Sequence, residues 1–178
     1  MSSEGQTRIS NLTLSRIQLS VLLLLGMIAV IATVLGFQHI GGYIPCKLCL
    51  EQREPYYVAI PLGAFALLAI LFSWPEILVR LLLAAIALLM LYTAYLAGFH
   101  SGVEWGWWPG PTDCGATAGN ISTDVNDLLG DLSATQPPSC DEAAGRFLGL
   151  SFAGWNVIVS LVLAAIAIKG ASKSGKTA

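Results

Sequence analysis

Charged residues are scarce in this sequence. Only 11% of its 178 residues are Asp, Glu, Lys or Arg, against roughly 25% in an ordinary soluble domain. A soluble protein covers its surface with such residues, and this chain, which is 55% hydrophobic, has too few of them to do so. The composition therefore excludes an ordinary soluble domain.

Four stretches contain no charged residue at all and are long enough to cross a bilayer, which takes about 17–25 mostly apolar residues in a helix. They cover residues 19–37, 56–72, 81–98 and 152–168. The first is too long for the apolar part of a signal peptide and lacks a small-x-small cleavage site after it. We therefore predict an all-α membrane protein, with residues 1–178 forming a single bundle of four transmembrane helices.

Positive charge is scarce on one side of these four segments. Six of the nine Lys and Arg residues precede the first segment, follow the last, or lie between the second and third: Arg8, Arg16, Arg80, Lys169, Lys173 and Lys176. Cytoplasmic loops carry an excess of Lys and Arg. This distribution predicts that both termini are cytoplasmic and that the loops at about 38–50 and 99–151 face outward.

Cysteine is absent from the apolar segments and from the predicted cytoplasmic side. All four cysteines lie in the outward loops, with Cys46 and Cys49 in the short first loop and Cys114 and Cys140 in the long second one. Disulfides persist in a periplasm or secretory lumen and rarely in the cytosol. An even number of cysteines confined to that face predicts disulfide chemistry.

The stretch PCKLCLEQR, residues 45–53, places Cys46 and Cys49 where the second helix is expected to begin. The free N–H groups and the positive dipole end of a helix favour the thiolate, which is the attacking form in disulfide exchange. Zinc sites use the same spacing, so a structural zinc bound by all four cysteines is an alternative. Cys114 and Cys140 could also form a disulfide that only stabilises their loop.

Arg53 follows Cys49 by four residues, so the two side chains are expected on one helix face. A charge at the edge of a membrane helix is costly, although a long side chain can extend to water. Extension to water is one interpretation of Arg53. The other is that Arg53 stabilises a thiolate on Cys49, or negative charge on a molecule bound beside it.

The sequence CKLCLEQR resembles the signature of the bacterial DsbB disulfide-bond-formation family, in which a Cys-x-x-Cys opens the second helix and an arginine follows four residues later. The similarity covers nearly the whole chain, including the second cysteine pair in the long loop and the run FLGL at 147–150 before Trp155. It implies a quinone-dependent thiol oxidase of the inner membrane that draws on the membrane lipid and quinone pool. The implied partner is a periplasmic DsbA-like thioredoxin-fold oxidase, and no nucleic acid is expected.

The resemblance also implies an order of catalytic steps. Cys114 forms the mixed disulfide with the partner, and Cys140 is the leaving and resolving cysteine. Exchange through a Cys46–Cys140 link then reduces the Cys46–Cys49 pair. Finally Cys49, as a thiolate, passes electrons to ubiquinone or menaquinone with the help of Arg53.

His100 and Glu104 are further candidates for the quinone pocket. His100 lies at the outer end of the third segment, and the stretch HSGVEWGW is similar to one found in many members of the family, which can carry a histidine near the quinone. The alternative for His100 is an interfacial histidine hydrogen-bonded to water.

Two other functions fit parts of the sequence. A quinone-linked disulfide reductase of the vitamin K epoxide reductase type uses similar cysteines in a four-helix bundle, but it carries its Cys-x-x-Cys on a late helix. A non-enzymatic adaptor whose outward loop is held by disulfides has no use for a helix-opening cysteine pair or for Arg53. The thiol oxidase accounts for more of these features than either alternative.

Overall fold

Four long helices dominate the chain. The computed structural model describes residues 3–111 and 139–172, with side chains from Arg16 onward. The elements in chain order are α1 (Ser3–His39), α2 (Lys47–Glu51), α3 (Glu54–Leu71), α4 (Glu76–Glu104), β1 (Arg146–Phe147), β2 (Leu150–Ser151) and α5 (Phe152–Ser172). The two strands form a small antiparallel hairpin that leads directly into α5. Apart from this hairpin, the described elements are helical, as predicted.

The spans predicted from the apolar segments are confirmed as helices. Those long and apolar enough to cross a membrane are Arg16–His39, Lys47–Leu71, Glu76–Glu104 and Phe152–Ser172. The second span consists of two helices, α2 and α3, which are separated at Gln52 and Arg53. Pro55 lies in the first turn of α3, where its missing N–H costs no helical hydrogen bond, and this favours a new helix start.

The long helices form a ring. Helix α1 packs against α3 and α5, and α4 packs against the same two helices, so α1 and α4 lie diagonally across the bundle. Buried alanines on α3 and α5 share the core with long side chains from the other two helices, such as Met27 of α1 and Met90 of α4. Small residues let membrane helices approach closely. Gly26 shows this most directly, because a Cβ there would lie 2.8 Å from Leu163 Cδ2.

The outer surface of the bundle is apolar. Its exposed large side chains include Leu22, Leu25, Phe65, Leu81, Leu88, Tyr95, Leu161 and Val162. In water such a surface would promote aggregation, whereas lipid chains solvate it. This surface agrees with the predicted membrane location.

One end of the bundle gathers the parts that carry chemistry. The end of α1, all of α2, the last turns of α4 and the start of α5 meet there. Phe37 and Tyr43 pack on Phe152, with ring centroids 4.9 and 5.9 Å from it. These aromatic contacts join α1 and its following loop to α5, and they enclose the space beside Cys49.

The opposite end is held by charge. Glu76, at the start of α4, forms ion pairs with Arg80 one turn later and with Arg16 of α1, whose Nη2 lies 3.5 Å from Glu76 Oε1. Arg16 is buried there. The cluster ties the start of α4 to α1 across the diagonal of the ring.

Candidate active site

The short helix α2 positions the first cysteine pair. Cys46 is the residue that caps α2, with extended backbone angles, and its Sγ accepts a hydrogen bond from the backbone N–H of Cys49 at 3.3 Å. This is the placement that the Cys-x-x-Cys spacing predicts. A sulfur at a helix start meets N–H groups that have no partner within the helix, and these favour negative charge on it.

Both thiols of this pair are free, and their Sγ atoms lie 2.6 Å apart. Cys46 is buried, whereas Cys49 is partly exposed. The hydrogen bond from the Cys49 thiol is the largest of the effects that lower the pKa of Cys46 to about 5; His100 acts in the same direction, and burial opposes both. In the dithiol form the negative charge therefore resides on Cys46 at neutral pH.

His100 lies beside Cys46. It projects from the last turns of α4, is buried, and places its Nε2 3.7 Å from Cys46 Sγ. The same nitrogen is 3.8 Å from Glu104 Oε1, one turn further along α4. The imidazole also borders the cavity described below. His100 thus contacts protein groups on both ring nitrogens, unlike the hydrated interfacial histidine of the alternative interpretation.

A network of uncharged polar side chains supports His100. Gln52 Nε2 lies 2.8 Å from His100 Nδ1 and 3.1 Å from the backbone oxygen of Leu48. Asn156 of α5 donates to Gln52 Oε1 at 2.8 Å. Asn156 Oδ1 in turn accepts from the hydroxyl groups of Tyr56 and Ser160.

Gln52 and Asn156 were not among the site residues predicted from the sequence. Asn156 is the only carboxamide within the apolar segment 152–168. Polar groups inside a membrane span need internal partners and mark functional sites often enough to deserve a hypothesis. That signal was present, but it does not say which helix Asn156 faces.

Arg53 and Cys49 line the same cavity. They were predicted to be neighbours on one face of a continuous helix. The predicted continuous helix is interrupted, and Arg53 is instead the residue that precedes α3. Its Nη1 donates to Gln38 Oε1 of α1 at 2.6 Å. Among the described residues Arg53 has no carboxylate partner, so its positive charge is available to the cavity.

The cavity beside Cys49 has a volume of about 420 Å³. Its walls are apolar side chains of α1, α5 and the loop between α1 and α2, including Val30, Val34, Phe37, Ile44, Phe152 and Val159. Its polar groups are Gln38, Cys49, Gln52, Arg53, His100 and Asn156. Small-molecule sites typically have such a size, apolar walls and a few convergent polar groups.

Cys140 lies on the other side of Cys46. It is fully buried, disulfide-bonded, and belongs to a cluster with Cys46, Leu48 and Val103. The predicted proximity of Cys46 and Cys140 is therefore present in the fold. Cys114, the predicted site of attack by the partner, lies outside the described residues, and its role remains a prediction.

Glu104 is placed behind His100 rather than on the cavity wall. Its side chain is buried, one carboxylate oxygen faces His100, and the other has no hydrogen-bond partner. A direct contact with a ligand in the cavity, as predicted, would require this side chain to turn past the imidazole. Its position fits a role that acts through His100.

The alternative of a zinc site with four cysteines does not fit this arrangement, because Cys140 is in a disulfide and offers no thiolate. A smaller set does converge, since the ligand atoms of Cys46, Cys49 and His100 all lie within 4.8 Å of one another. Metal analysis of the purified protein would distinguish a metal held by these three groups from the hydrogen bonds that join Cys46 to Cys49 and His100.

The chain was compared with known proteins. The family model described as "Disulfide bond formation protein DsbB" matches residues 16–169. This range contains the first three membrane spans, all but the last three residues of the fourth, and all seven predicted site residues. No curated protein and no solved structure matches the chain.

Proposed function

The chain belongs to the DsbB family of disulfide bond formation proteins, and from that premise we propose that it is a membrane thiol:quinone oxidoreductase. Its substrate is the reduced dithiol of a periplasmic DsbA-like thioredoxin-fold oxidase. One observation carries this proposal: Cys46 is buried in a cluster with the disulfide-bonded Cys140, while Cys49 opens onto an apolar cavity beside Arg53. A cysteine pair placed between a disulfide and a cavity can receive electrons on one side and release them on the other.

The first exchange takes place at the loop disulfide. A thiolate of the reduced partner attacks Cys114, the Cys114–Cys140 bond breaks, and Cys140 leaves as a thiolate. Cys140 then attacks Cys46 in the oxidised Cys46–Cys49 pair, and Cys49 leaves as a thiolate. Cys49 is now a thiolate, whereas Cys46 is still oxidised in its disulfide with Cys140.

The resolving steps restore the loop disulfide. The second thiolate of the partner attacks its own sulfur in the mixed disulfide and releases Cys114. Cys114 then attacks Cys140, which releases Cys46 as a thiolate. The N–H of Cys49 and the imidazole of His100 stabilise the charge on Cys46. The net change is one partner disulfide formed and the Cys46–Cys49 pair reduced.

The cavity fits a quinone by size and by chemistry. The aromatic rings of Phe37, Tyr43 and Phe152 provide flat apolar contacts, and Arg53 and Gln38 provide donors at the polar end. When bound, a quinone accepts the two electrons and two protons that oxidation of the dithiol releases. The Arg53 guanidinium stabilises negative charge on Cys49 or at the adjacent cavity end, where few water molecules compete.

Orientation and location complete the proposal. The excess of Lys and Arg at the termini and at Arg80 supports a cytoplasmic location for those regions, and with it a location of the cysteine end at the periplasmic face of the inner membrane. Periplasmic disulfide chemistry requires this direction. Membership of the DsbB family favours the oxidase over a reductase of the vitamin K epoxide type and over an adaptor without catalytic activity.

The decisive experiment measures oxidation of a reduced DsbA-like partner by the purified protein in lipid nanodiscs. A preparation stripped of quinone is compared with the same preparation after ubiquinone or menaquinone is added back. We expect multiple turnovers only with quinone, and none with a Cys49→Ser variant under either condition. Equal turnover without quinone would rule out the proposed oxidant.

A further inference from the structure

A chain of hydrogen bonds crosses the bundle from α5 to α4 and ends at the imidazole of His100. It runs from the Tyr56 and Ser160 hydroxyls to Asn156, then to Gln52, and then to His100 Nδ1. In the proposed thiol exchange only His100 Nε2, which lies beside Cys46, has a role. No step of that exchange requires Gln52 or Asn156. The network therefore needs its own explanation.

The direction of this chain follows from one acceptor. The backbone oxygen of Leu48 can only accept, so the Gln52 atom 3.1 Å from it must be the amide nitrogen. The same nitrogen lies 2.8 Å from His100 Nδ1 and provides its second hydrogen there. Gln52 Oε1 is then left to accept from Asn156 Nδ2 at 2.8 Å.

The far end of the chain agrees with this direction. With its nitrogen donating to Gln52, Asn156 presents Oδ1 to Tyr56 at 2.9 Å and to Ser160 at 3.2 Å. Both of these groups are hydroxyls that can donate. The hydrogen bonds from Asn156 to Gln52 and from Gln52 to His100 thus have one consistent direction.

The consequence falls on His100. Because Nδ1 receives a hydrogen bond, it carries a lone pair, and the proton of the neutral ring must lie on Nε2. That nitrogen is the one 3.7 Å from Cys46 Sγ. The N–H therefore points at the sulfur that takes the charge when the cysteine pair is reduced.

We propose that Gln52 and Asn156 are positioning residues that hold the neutral His100 ring in the Nε2–H tautomer, aimed at Cys46. The proposal deepens the proposed function, because it rests on thiol exchange at Cys46, but it does not depend on which oxidant occupies the cavity. Partners of a functional imidazole set its tautomer and orientation in the same way at other protein sites.

The tautomer can be read directly by ¹⁵N NMR of histidine-labelled protein in the reduced state, without quinone or partner. The chain has only two histidines, and the exposed His39 serves as an internal reference for an unconstrained ring. At about pH 8, where an unperturbed imidazole is neutral, we expect His100 to show a protonated Nε2 and an unprotonated Nδ1. A protonated Nδ1 in the unmodified protein would overturn the proposal.

The variant Gln52→Glu reverses the direction of the hydrogen bond between residue 52 and His100 with almost no change in side-chain shape. A carboxylate can only accept, so it should draw the proton of His100 to Nδ1. We expect the ¹⁵N pattern to change accordingly, and exchange between Cys140 and the Cys46–Cys49 disulfide to slow by about tenfold, which is typical when a partner that orients an imidazole is lost. An unchanged tautomer in this variant would contradict the proposal even if the exchange rate fell.

Asn156→Leu provides an independent test should Gln52→Glu fail to insert stably. The buried Gln52 Oε1 then has no donor, so the amide can also turn over, give up its bond to Leu48 and present its oxygen to Nδ1. His100 should therefore populate both tautomers. Ser160→Ala is the matched control, because Tyr56 still donates to Asn156 and the His100 signals should stay as in the unmodified protein. Equal spectra for Asn156→Leu and Ser160→Ala would remove Asn156 from the proposal.

Failure of this proposal and failure of the proposed function are distinguishable. If oxidation of the partner needs no quinone but the tautomer responds to Gln52→Glu, only the oxidant is wrong. If oxidation depends on quinone while the tautomer ignores Gln52 and Asn156, the oxidase stands and the positioning role falls.

Discussion

The two sulfur atoms on α2 are three residues apart, but their surroundings differ. Cys46 is buried, with the imidazole of His100 beside it and the Cys140 disulfide in the same cluster. Cys49 borders an apolar cavity whose charged group is Arg53. The fold gives one thiol the conditions for disulfide exchange and the other the conditions for contact with an apolar oxidant. A motif that is symmetrical in sequence is thus divided into two functions by its position between helices.

The largest test of this difference exchanges the two cysteines one at a time for serine. Both variants should lose all turnover, since the dithiol is gone. Cys49→Ser should still form the Cys46–Cys140 disulfide, because those residues share a buried cluster. Cys46→Ser should form far less of a Cys49–Cys140 bond, because Cys49 only borders that cluster and faces the cavity. Peptide mapping by mass spectrometry under non-reducing conditions measures both, and equal bonding in the two variants would mean that the sides of α2 are interchangeable.

Arg53→Ala should affect only the cavity side. Loss of one preorganised donor at a developing negative charge typically costs 10²–10³ in rate, so we expect quinone reduction to slow by about 100-fold. Exchange between the partner and the cysteines should keep its rate. Lys47→Ala is the matched control. Lys47 is a cation of α2, six residues before Arg53; it pairs with Glu51 at 3.9 Å and borders no part of the cavity. A similar loss in the rate of quinone reduction in both variants would mean that Arg53 acts only through its overall positive charge.

The difference between the two cysteines should be visible in the pH dependence of the Cys46 thiolate. Its pKa is lowered to about 5, below the ordinary thiol value of about 8.5. A group with a depressed pKa contributes stability above its unfolded value and loses that contribution as the pH falls through its folded value. The thiolate absorbance of the reduced protein should therefore persist at neutral pH and disappear near pH 5. Disappearance at the ordinary value instead would mean that neither Cys49 nor His100 supports the charge.

Glu104→Gln should have the smallest effect. The carboxylate lies 3.8 Å from His100 Nε2, which is longer than a hydrogen bond, and it is not on the cavity wall. A contribution of about 1 kcal/mol would change the rate of exchange at Cys46 by about fivefold. The ratio of exchange rates in the variant and the unmodified protein measures it, and a loss exceeding that of Gln52→Glu would make Glu104 the main partner of His100.

Much of the fold could be predicted from the sequence, because membrane spans depend on length and apolarity, which a sequence shows directly. The break between α2 and α3 was missed, although Pro55 has no N–H to continue the hydrogen bonding of a helix and is best placed in a first turn. The uninterrupted helix was expected to bring Arg53 next to Cys49 by its four-residue spacing. The structure nevertheless brings both side chains to the wall of one cavity.

The polar network could not be predicted in the same way. Gln52, His100 and Asn156 come from three different helices, and their meeting depends on how each helix is rotated about its axis. Apolarity all around a membrane helix leaves little periodicity from which to read that rotation. For the same reason Glu104 was predicted to belong to the quinone pocket, whereas it lies behind His100. Small differences in depth along α4 decide which side chain reaches the cavity wall.

Helix α1 gives the cavity much of its shape and none of its sulfur chemistry. Gly26, Ala29, Val30, Thr33, Val34 and Phe37 line it along one face of that helix. An inhibitor that reaches along this face could discriminate between proteins whose cysteines react identically, because its affinity would depend on the contour of α1 and not on thiol reactivity.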